Sequence, residues 1–109
     1  MTTTVRINQQ RLWQTLNTFA GFGQTAGGGV SRLTLSAADN QGRARLRDWS
    51  EQAGFSCRTD DVGNMFILRR GRDSSLPAVL TGSHADSQPL GGNYDCLYEF
   101  GSASCMERL

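Results

Sequence analysis

The sequence lacks any long apolar run. No stretch approaches the roughly 20 residues that an apolar helix needs to cross a bilayer. Residues 1–4 also lack the basic and then apolar pattern with which a signal peptide begins. We therefore expect neither a membrane partner nor export.

Cysteine is scarce, and its arrangement does not suit cross-linking. The chain has 3 cysteines and no C-x-x-C pair. An odd number of thiols at wide spacing is a poor disulfide framework. The pattern predicts reduced thiols and, with them, a cytoplasmic location.

The sequence has no excess of charge of either sign. It has 11 Lys and Arg against 10 Asp and Glu over 109 residues, a formal net charge of +1. This balance predicts no strong attraction to nucleic acid, anionic membrane or acidic substrates. The arginines of residues 69–72 have no aromatic platform beside them, so we interpret them as a solvated loop and expect no nucleic-acid partner.

Two segments have helical periodicity. Residues 8–20 place apolar side chains on one helical face, namely Leu12, Leu16, Phe19 and Ala20. A second helix is predicted over residues 37–53, because Ser36 and Asp39 form a capping-box pattern at its start and Gly54 follows its end. Its arginines at positions 43, 45 and 47 are interpreted as a solvated face.

Glycine concentrates between the predicted helices, at positions 21, 23, 27, 28 and 29. This segment should be a loop, because glycine adds conformational freedom at a cost in order. A phosphate cradle is the alternative, but the segment lacks the Gly-Lys-Ser/Thr ending of a P-loop. Gly42 falls inside the second helix, where it should cost about 1 kcal/mol relative to alanine.

The second half of the chain has the patterns of strands. Residues 55–59 alternate between apolar and polar, and residues 65–68 are apolar after a Gly-Asn turn. After Pro77, residues 78–81 form a short apolar run that is typical of a strand buried on both faces. The predicted order is helix, helix, strand, strand, strand, an α/β fold.

The segment that follows the third predicted strand carries the candidate chemistry. His84 is the single histidine, and it falls at the C-terminal end of that strand, where open α/β sheets place ligand sites. Asp86 should point to the same side and accept the proton of one ring nitrogen. A loop with Pro89, Gly91 and Gly92 would return Asp95, whose two oxygens could bridge cations about 3.5 to 4 Å apart.

Two other interpretations of this segment are open. A lone histidine near a strand end is more often a hydrogen-bonded structural residue than a metal ligand. Ser83 or Ser87 could act as a nucleophile with His84 as its base, although the Gly-x-Ser-x-Gly elbow is missing.

Residues 82–95 resemble the first metal motif of zinc-dependent amidohydrolases. The family is the N-carbamoyl-L-amino-acid hydrolase, β-ureidopropionase and allantoate amidohydrolase group of the aminoacylase and carboxypeptidase superfamily. Residues 11–13, 28–33 and 61–66 also resemble the family's N-terminal stretch. The similarity covers about residues 6 to 95.

The resemblance implies a fold and a site. Residues 1–95 would be the N-terminal part of a mixed-sheet catalytic domain with helices packed on the sheet. His84 would bind one metal ion, Asp95 would bridge two, and Asp86 would support His84, while Gln88 would line the substrate end. The cofactors would be two divalent ions, zinc first, with manganese, cobalt or nickel as alternatives. The substrate would be a small amino-acid-like molecule with a carbamoyl, ureido or amide group.

Residues 96–109 depart from the family. Relatives follow the bridging aspartate with glycine and an apolar helix, whereas this chain has Cys96 and weak helical periodicity. We hypothesise that this tail is out of frame. The family's catalytic glutamate and remaining ligands lie further on, and Glu99 and Glu107 do not match them. We therefore expect a fragment that is inactive alone and does not form the homodimer of full-length relatives. The alternative is a non-catalytic remnant that binds a divalent ion weakly or only associates with another chain.

Overall fold

The computed structural model describes residues 4–94. These residues form two helices, α1 (Gln9–Ala20) and α2 (Ala37–Gln52), and two strands, β1 (Ser56–Thr59) and β2 (Met65–Leu68). The α/β class predicted from the sequence is confirmed. Within the described residues, neither helix is long and apolar enough to cross a membrane. The described residues divide into two compact units, one made of residues 4–42 and 81–94, the other of Arg43–Leu80.

Helix α1 begins where the sequence predicted, to within one residue. The side chain of Asn8 accepts a hydrogen bond from the backbone N–H of Arg11 at 2.9 Å, which satisfies one of the free donors of the first turn. Leu16, Phe19 and Ala20 are buried. The helix is therefore held by an N-terminal cap and by an apolar stripe.

Helix α2 has the cap that its sequence predicted, with one difference. The Asp39 N–H donates to the Ser36 hydroxyl at 3.1 Å, as in a capping box. The Asp39 carboxylate accepts from the N–H of Leu35 at 3.0 Å, whereas a capping box would have it accept from the N–H of Ser36. Leu35 has a φ of 65°, in the left-handed region. In this conformation its N–H lies within hydrogen-bond distance of the Asp39 carboxylate.

Gly42 is buried inside α2, and the structure explains why a residue of poor helix propensity stands there. A Cβ atom at this position would lie 3.1 Å from Cζ of Phe19 and 3.6 Å from Cδ of Arg32. The first of these distances is tighter than ordinary packing. Glycine thus lets the Phe19 ring approach the helix backbone closely.

The second unit contains an antiparallel hairpin. Strand β1 pairs with β2 in a register that runs from Ser56 opposite Leu68 to Thr59 opposite Met65. The Asp60 carboxylate organises the turn, because it accepts from the N–H groups of Val62 and Asn64 and from the Asn64 side-chain amide. Gly63 has a φ of 90°, a conformation that favours glycine. The hairpin and its turn were both predicted.

The prediction of a solvated arginine face on α2 is wrong for two of its three members. Arg43 donates to the carbonyl of Gly63, and Arg47 donates to the carbonyl of Cys57 at 3.3 Å and to the Thr59 hydroxyl at 3.2 Å. These guanidinium groups satisfy polar atoms of the hairpin. Arg45 instead stacks over Trp49, with its Cζ 5.9 Å from the ring centroid.

The predicted strand at residues 78–81 does not form. This segment has no assigned strand, and Val79 is 99% exposed and Leu80 87% exposed. A strand buried on both faces requires neighbouring strands and covering layers. Within the described residues the sheet consists of β1 and β2 alone, so the apolar run has no strand to pair with.

Candidate metal site

The candidate site rests on a segment that we call the clamp segment, residues 30–34, in the first unit. Val30 and Gly91 exchange two backbone hydrogen bonds of 2.9 Å each, and the N–H of Ser87 donates to the carbonyl of Arg32 at 2.8 Å. The clamp segment therefore runs antiparallel to residues 87–91. It fixes the backbone directly after His84 and Asp86.

The glycine-rich loop leads into the clamp segment by close backbone approaches. A Cβ atom at Gly23, whose φ is 84°, would lie 2.4 Å from the carbonyl oxygen of Ser31. A Cβ atom at Gly29 would lie 2.7 Å from the carbonyl oxygen of Gly91. The predicted loop is confirmed, and these two glycines have a packing reason: side chains there would push the clamp segment away from its partners.

Arg32 is the largest fully buried side chain of the described residues, at 1% exposure. Its Nη1 donates to the carbonyls of Phe19 at 3.0 Å and Phe22 at 2.7 Å, and its Nε donates to the carbonyl of Ala85 at 2.7 Å. The guanidinium carbon also lies 4.5 Å from the centroid of the Phe19 ring. One side chain thus joins the end of α1 to the residue between His84 and Asp86.

The burial of Arg32 lowers the pKa of its guanidinium, while the carboxylates of Asp39 and Asp86 oppose this change. Asp39 is itself buried, at 3% exposure. An arginine remains charged in proteins because its intrinsic pKa is so high. The charge at this position is therefore balanced by two carboxylates and three carbonyl acceptors.

His84 and Asp86 contact each other as the spacing predicted. The Nδ1 atom of His84 lies 3.0 Å from the carboxylate oxygen Oδ1 of Asp86 and 3.0 Å from the Asp86 carbonyl oxygen. Neither a carbonyl nor an ionised carboxylate can donate, so Nδ1 carries the proton of the neutral ring, and Nε2 is the unprotonated nitrogen of that neutral form. The imidazole side chain is 54% exposed. This is the tautomer that a histidine ligand requires when it binds a metal through Nε2.

The second oxygen of Asp86 also has a partner. Oδ2 accepts a hydrogen bond from the Thr34 hydroxyl at 2.8 Å. The Thr34 hydroxyl, with a smaller contribution from His84, holds the pKa of Asp86 below its ordinary value of 3.8. The carboxylate is therefore ionised at neutral pH, as an acceptor for the imidazole N–H must be.

The other predicted site residues are Asp95 and Gln88. Asp95 lies outside the described residues. Gln88 is exposed, and its carbonyl accepts from the Ser87 hydroxyl at 2.9 Å. Among residues 4–94, no group of three or more His, Cys, Asp or Glu side chains is close enough to hold a metal ion. The metal-binding and substrate-binding roles stay predictions.

Tyr94, the last described residue, packs on helix α1. Its hydroxyl donates to the Asn17 side-chain oxygen at 3.3 Å, and its ring centroid lies 5.7 Å from that of Trp13. The backbone that leads to Asp95 is therefore held against the first helix.

The structure weakens the serine-nucleophile interpretation for Ser87. Its hydroxyl accepts from the Arg32 N–H at 2.8 Å and lies 3.1 Å from the Val30 carbonyl. The hydroxyl is part of the contact with the clamp segment. A nucleophilic serine would instead share a hydrogen bond with the histidine that serves as its base.

Sequence reasoning missed Arg32 and Thr34. Arg32 belongs to residues 28–33, which were recognised only as resembling a family, and this was the available signal. Thr34 had no signal, because nothing in the local pattern connects it to a carboxylate far along the chain. Both residues act through contacts that only the folded chain creates.

Comparisons with known proteins agree with these features. The chain is 43% identical over 90 residues to an N-carbamoyl-L-amino-acid amidohydrolase of Rhizobium meliloti, an alignment that covers 83% of this chain and 22% of the relative. It is 35% identical over 89 residues to a ureidoglycolate hydrolase of Oryza sativa subsp. japonica, which covers 82% of this chain and 18% of the relative. No family model matches the chain.

A solved structure, a hydantoinase/carbamoylase family amidase from Burkholderia ambifaria, superimposes with a TM-score of 0.91 at 39% identity. The superposition covers 94% of this chain and 25% of that structure's chain. The chain is homologous to these amidohydrolases, as the motif in residues 82–95 predicted. It spans about a quarter or less of the length of the relatives that it matches.

Proposed function

We propose that this chain supplies part of the metal site of an amidohydrolase that cleaves C–N bonds in carbamoyl, ureido or amide groups of small amino-acid-like molecules. The observation that carries the proposal is the pairing of His84 with Asp86, which holds the proton of the neutral ring on Nδ1 and so makes Nε2 of this half-exposed side chain the nitrogen that can bind a metal ion. The homology to an N-carbamoyl-L-amino-acid amidohydrolase and a ureidoglycolate hydrolase supports the reaction class.

In this proposal each site residue has one task. His84 would bind a divalent ion through Nε2, and Asp86 would hold the Nδ1 proton of His84. Asp95 would bridge two ions, and Gln88 would contact the substrate. Zinc suits an imidazole and carboxylate donor set, with manganese, cobalt or nickel as alternatives. The ions, when bound, would lower the pKa of a coordinated water to about 7 and so provide hydroxide at neutral pH.

We further propose that the 109-residue chain does not turn over substrate by itself. A catalytic zinc site usually has three protein ligands, and the proposal assigns two in this chain, His84 and Asp95. In full-length relatives the general base would be a glutamate, and those relatives would act as homodimers in the cytoplasm. The second candidate is a non-catalytic remnant that binds a divalent ion weakly or only associates with another chain.

The test measures Zn²⁺ binding at His84 itself. Because thiolates also bind zinc, the three cysteines are replaced by serine, and the ring nitrogens of His84 are followed by ¹⁵N NMR as Zn²⁺ is added. We expect a zinc-dependent shift at Nε2 that is much larger than the accompanying shift at Nδ1. A ring that does not respond to Zn²⁺, or calorimetric zinc uptake that is unchanged by His84→Ala, would overturn the assignment of His84 as a ligand.

A second measurement addresses catalysis. The purified chain is incubated with zinc, manganese or cobalt and N-carbamoyl amino acids, and the released amino acid is measured. We expect no turnover. Turnover that His84→Ala abolishes would contradict the proposed inactivity while supporting the reaction class.

A further inference from the structure

The Thr34 hydroxyl lies 2.8 Å from the Asp86 oxygen that does not face the histidine. We propose that Thr34 is a positioning residue, which orients the Asp86 carboxylate so that the carboxylate holds His84 with Nε2 directed outward. The inference rests on the metal-binding function proposed for His84, and it extends that function to a residue 50 positions earlier in the chain.

The carboxylate of Asp86 needs such a partner because both side chains of the His84–Asp86 pair are partly exposed. The side chains of His84 and Asp86 are 54% and 40% exposed. A carboxylate with one hydrogen bond can rotate about its terminal torsion, which has broad energy wells. A second hydrogen bond, on Oδ2, limits this rotation and keeps Oδ1 directed at the imidazole.

Thr34 can restrict Asp86 because its own backbone is held. The clamp segment ends at Thr34. Two residues earlier, the N–H of Arg32 donates to the Ser87 hydroxyl and the carbonyl of Arg32 accepts from the Ser87 N–H. The Arg32 side chain also holds the carbonyl of Ala85. The Thr34 hydroxyl therefore belongs to a segment whose backbone is held in place. The same segment also holds Ala85 and Ser87, the residues on either side of Asp86.

The contact between Thr34 and Asp86 requires a hydrogen-bond donor at position 34. An ionised carboxylate only accepts hydrogen bonds, so the Thr34 hydroxyl donates its proton to Oδ2. Serine keeps this proton, whereas valine has nearly the shape of threonine without it. Because Thr34 is exposed, neither substitution removes a buried contact, and changes in stability should be small.

The experiment uses two matched pairs of variants that each differ by one hydroxyl: Thr34 against Thr34→Val, and Thr34→Ser against Thr34→Ala. The whole chain, with its cysteines replaced by serine, is labelled with ¹⁵N, and the tautomer of His84 is measured without metal at a pH where the ring is neutral. The affinity of the ring for Zn²⁺ is then measured by titration. Thr18→Val, at an exposed threonine of α1, is the control.

We expect Thr34→Val and Thr34→Ala to increase the Nε2-protonated tautomer and to weaken Zn²⁺ binding at the ring by about twofold to tenfold, the range that the loss of one hydrogen bond allows. Thr34→Ser and Thr18→Val should match the parent. In an Asp86→Ala background Thr34→Val should have no further effect, because the hydroxyl acts only through that carboxylate. A purely structural role would not make the effect depend on Asp86.

The outcomes separate this inference from the function on which it rests. If the variants without the hydroxyl have the tautomer of the parent, or if Thr34→Ser fails to restore it, the positioning role is wrong even when His84 binds zinc. If the tautomer changes as expected but His84 takes up no Zn²⁺, the positioning role stands and the metal-binding function is wrong. Backbone amide spectra verify that each variant is folded.

Discussion

The replacement of Arg32 by methionine tests the architecture beneath the site. Methionine retains an unbranched apolar chain but removes the charge and all donors. Three carbonyl acceptors then lose their hydrogen bond to Arg32, those of Phe19, Phe22 and Ala85. A hydrogen bond to a charged group contributes about 1.5 to 3 kcal/mol.

The three hydrogen bonds of Arg32 should together contribute less to stability than three times the value of one such bond. Only the bond to the Phe19 carbonyl is fully buried, so water can reach the acceptors of the other two bonds in the variant. The variant also avoids the cost of burying a guanidinium group, which lowers the net loss. We therefore expect Arg32→Met to reduce the free energy of unfolding by about 3 to 5 kcal/mol, a large share of the roughly 5 to 16 kcal/mol typical of a chain this long.

The global loss is measured by urea unfolding, followed by far-UV circular dichroism. The local loss is measured by hydrogen exchange of the Val30 and Ser87 amides, which bond to Gly91 and Arg32 across the clamp segment. A loss of 3 kcal/mol corresponds to a decrease of about 100-fold or more in their protection. Arg32→Lys should recover less than half of the loss, because an ammonium group cannot reproduce the planar arrangement of guanidinium donors.

Arg45→Met is the matched control, because Arg45 is exposed and stacks on Trp49 without a buried hydrogen bond. It should change the unfolding free energy by about 0.5 kcal/mol or less. The reasoning is refuted if Arg32→Met costs less than about 1 kcal/mol and leaves the protection of Val30 and Ser87 unchanged, since the three bonds would then contribute little to the fold.

Two further predictions concern the helix and the hairpin. Helix propensity alone would make Gly42→Ala more stable than the parent by about 1 kcal/mol. We expect it instead to be less stable by up to about 2 kcal/mol, because the added methyl group would lie 3.1 Å from the Phe19 ring. Ala44→Gly, on the exposed side of the same helix, should cost about 1 kcal/mol, and a Gly42→Ala variant more stable than the parent in urea would contradict the packing explanation. The side-chain amide of Asn64 and nearby backbone N–H groups hold the pKa of Asp60 below its ordinary value of 3.8. A carboxylate with a lowered pKa in the folded state stabilises the fold above pH 3.8, and this contribution disappears as the pH falls through the lower folded value. Asn64→Ala should raise the Asp60 pKa toward 3.8 in a carboxyl-carbon NMR titration, and an unchanged titration curve would show that the amide contact has no effect.

The sequence by itself determined the features that depend on neighbouring residues. The sequence predicted both helices, the Ser36 cap, the hairpin turn at Gly63 and Asn64, and the contact between His84 and Asp86. Each of these features involves residues no more than a few positions apart. Local spacing controls such contacts, because helix and extended backbone have fixed periods. The family resemblance came from the same kind of signal, a contiguous motif.

Only the tertiary structure decided what holds that motif in place. The bonds from Arg32 to Ala85 and from Thr34 to Asp86 join residues 53 and 52 positions apart, and no local period predicts them. The strand predicted at residues 78–81 failed because it also depends on distant residues. An apolar run becomes a buried strand only where other strands pair with it. Spacing could therefore place Asp86 beside His84, but the fold alone placed the Thr34 hydroxyl on the opposite oxygen of that carboxylate.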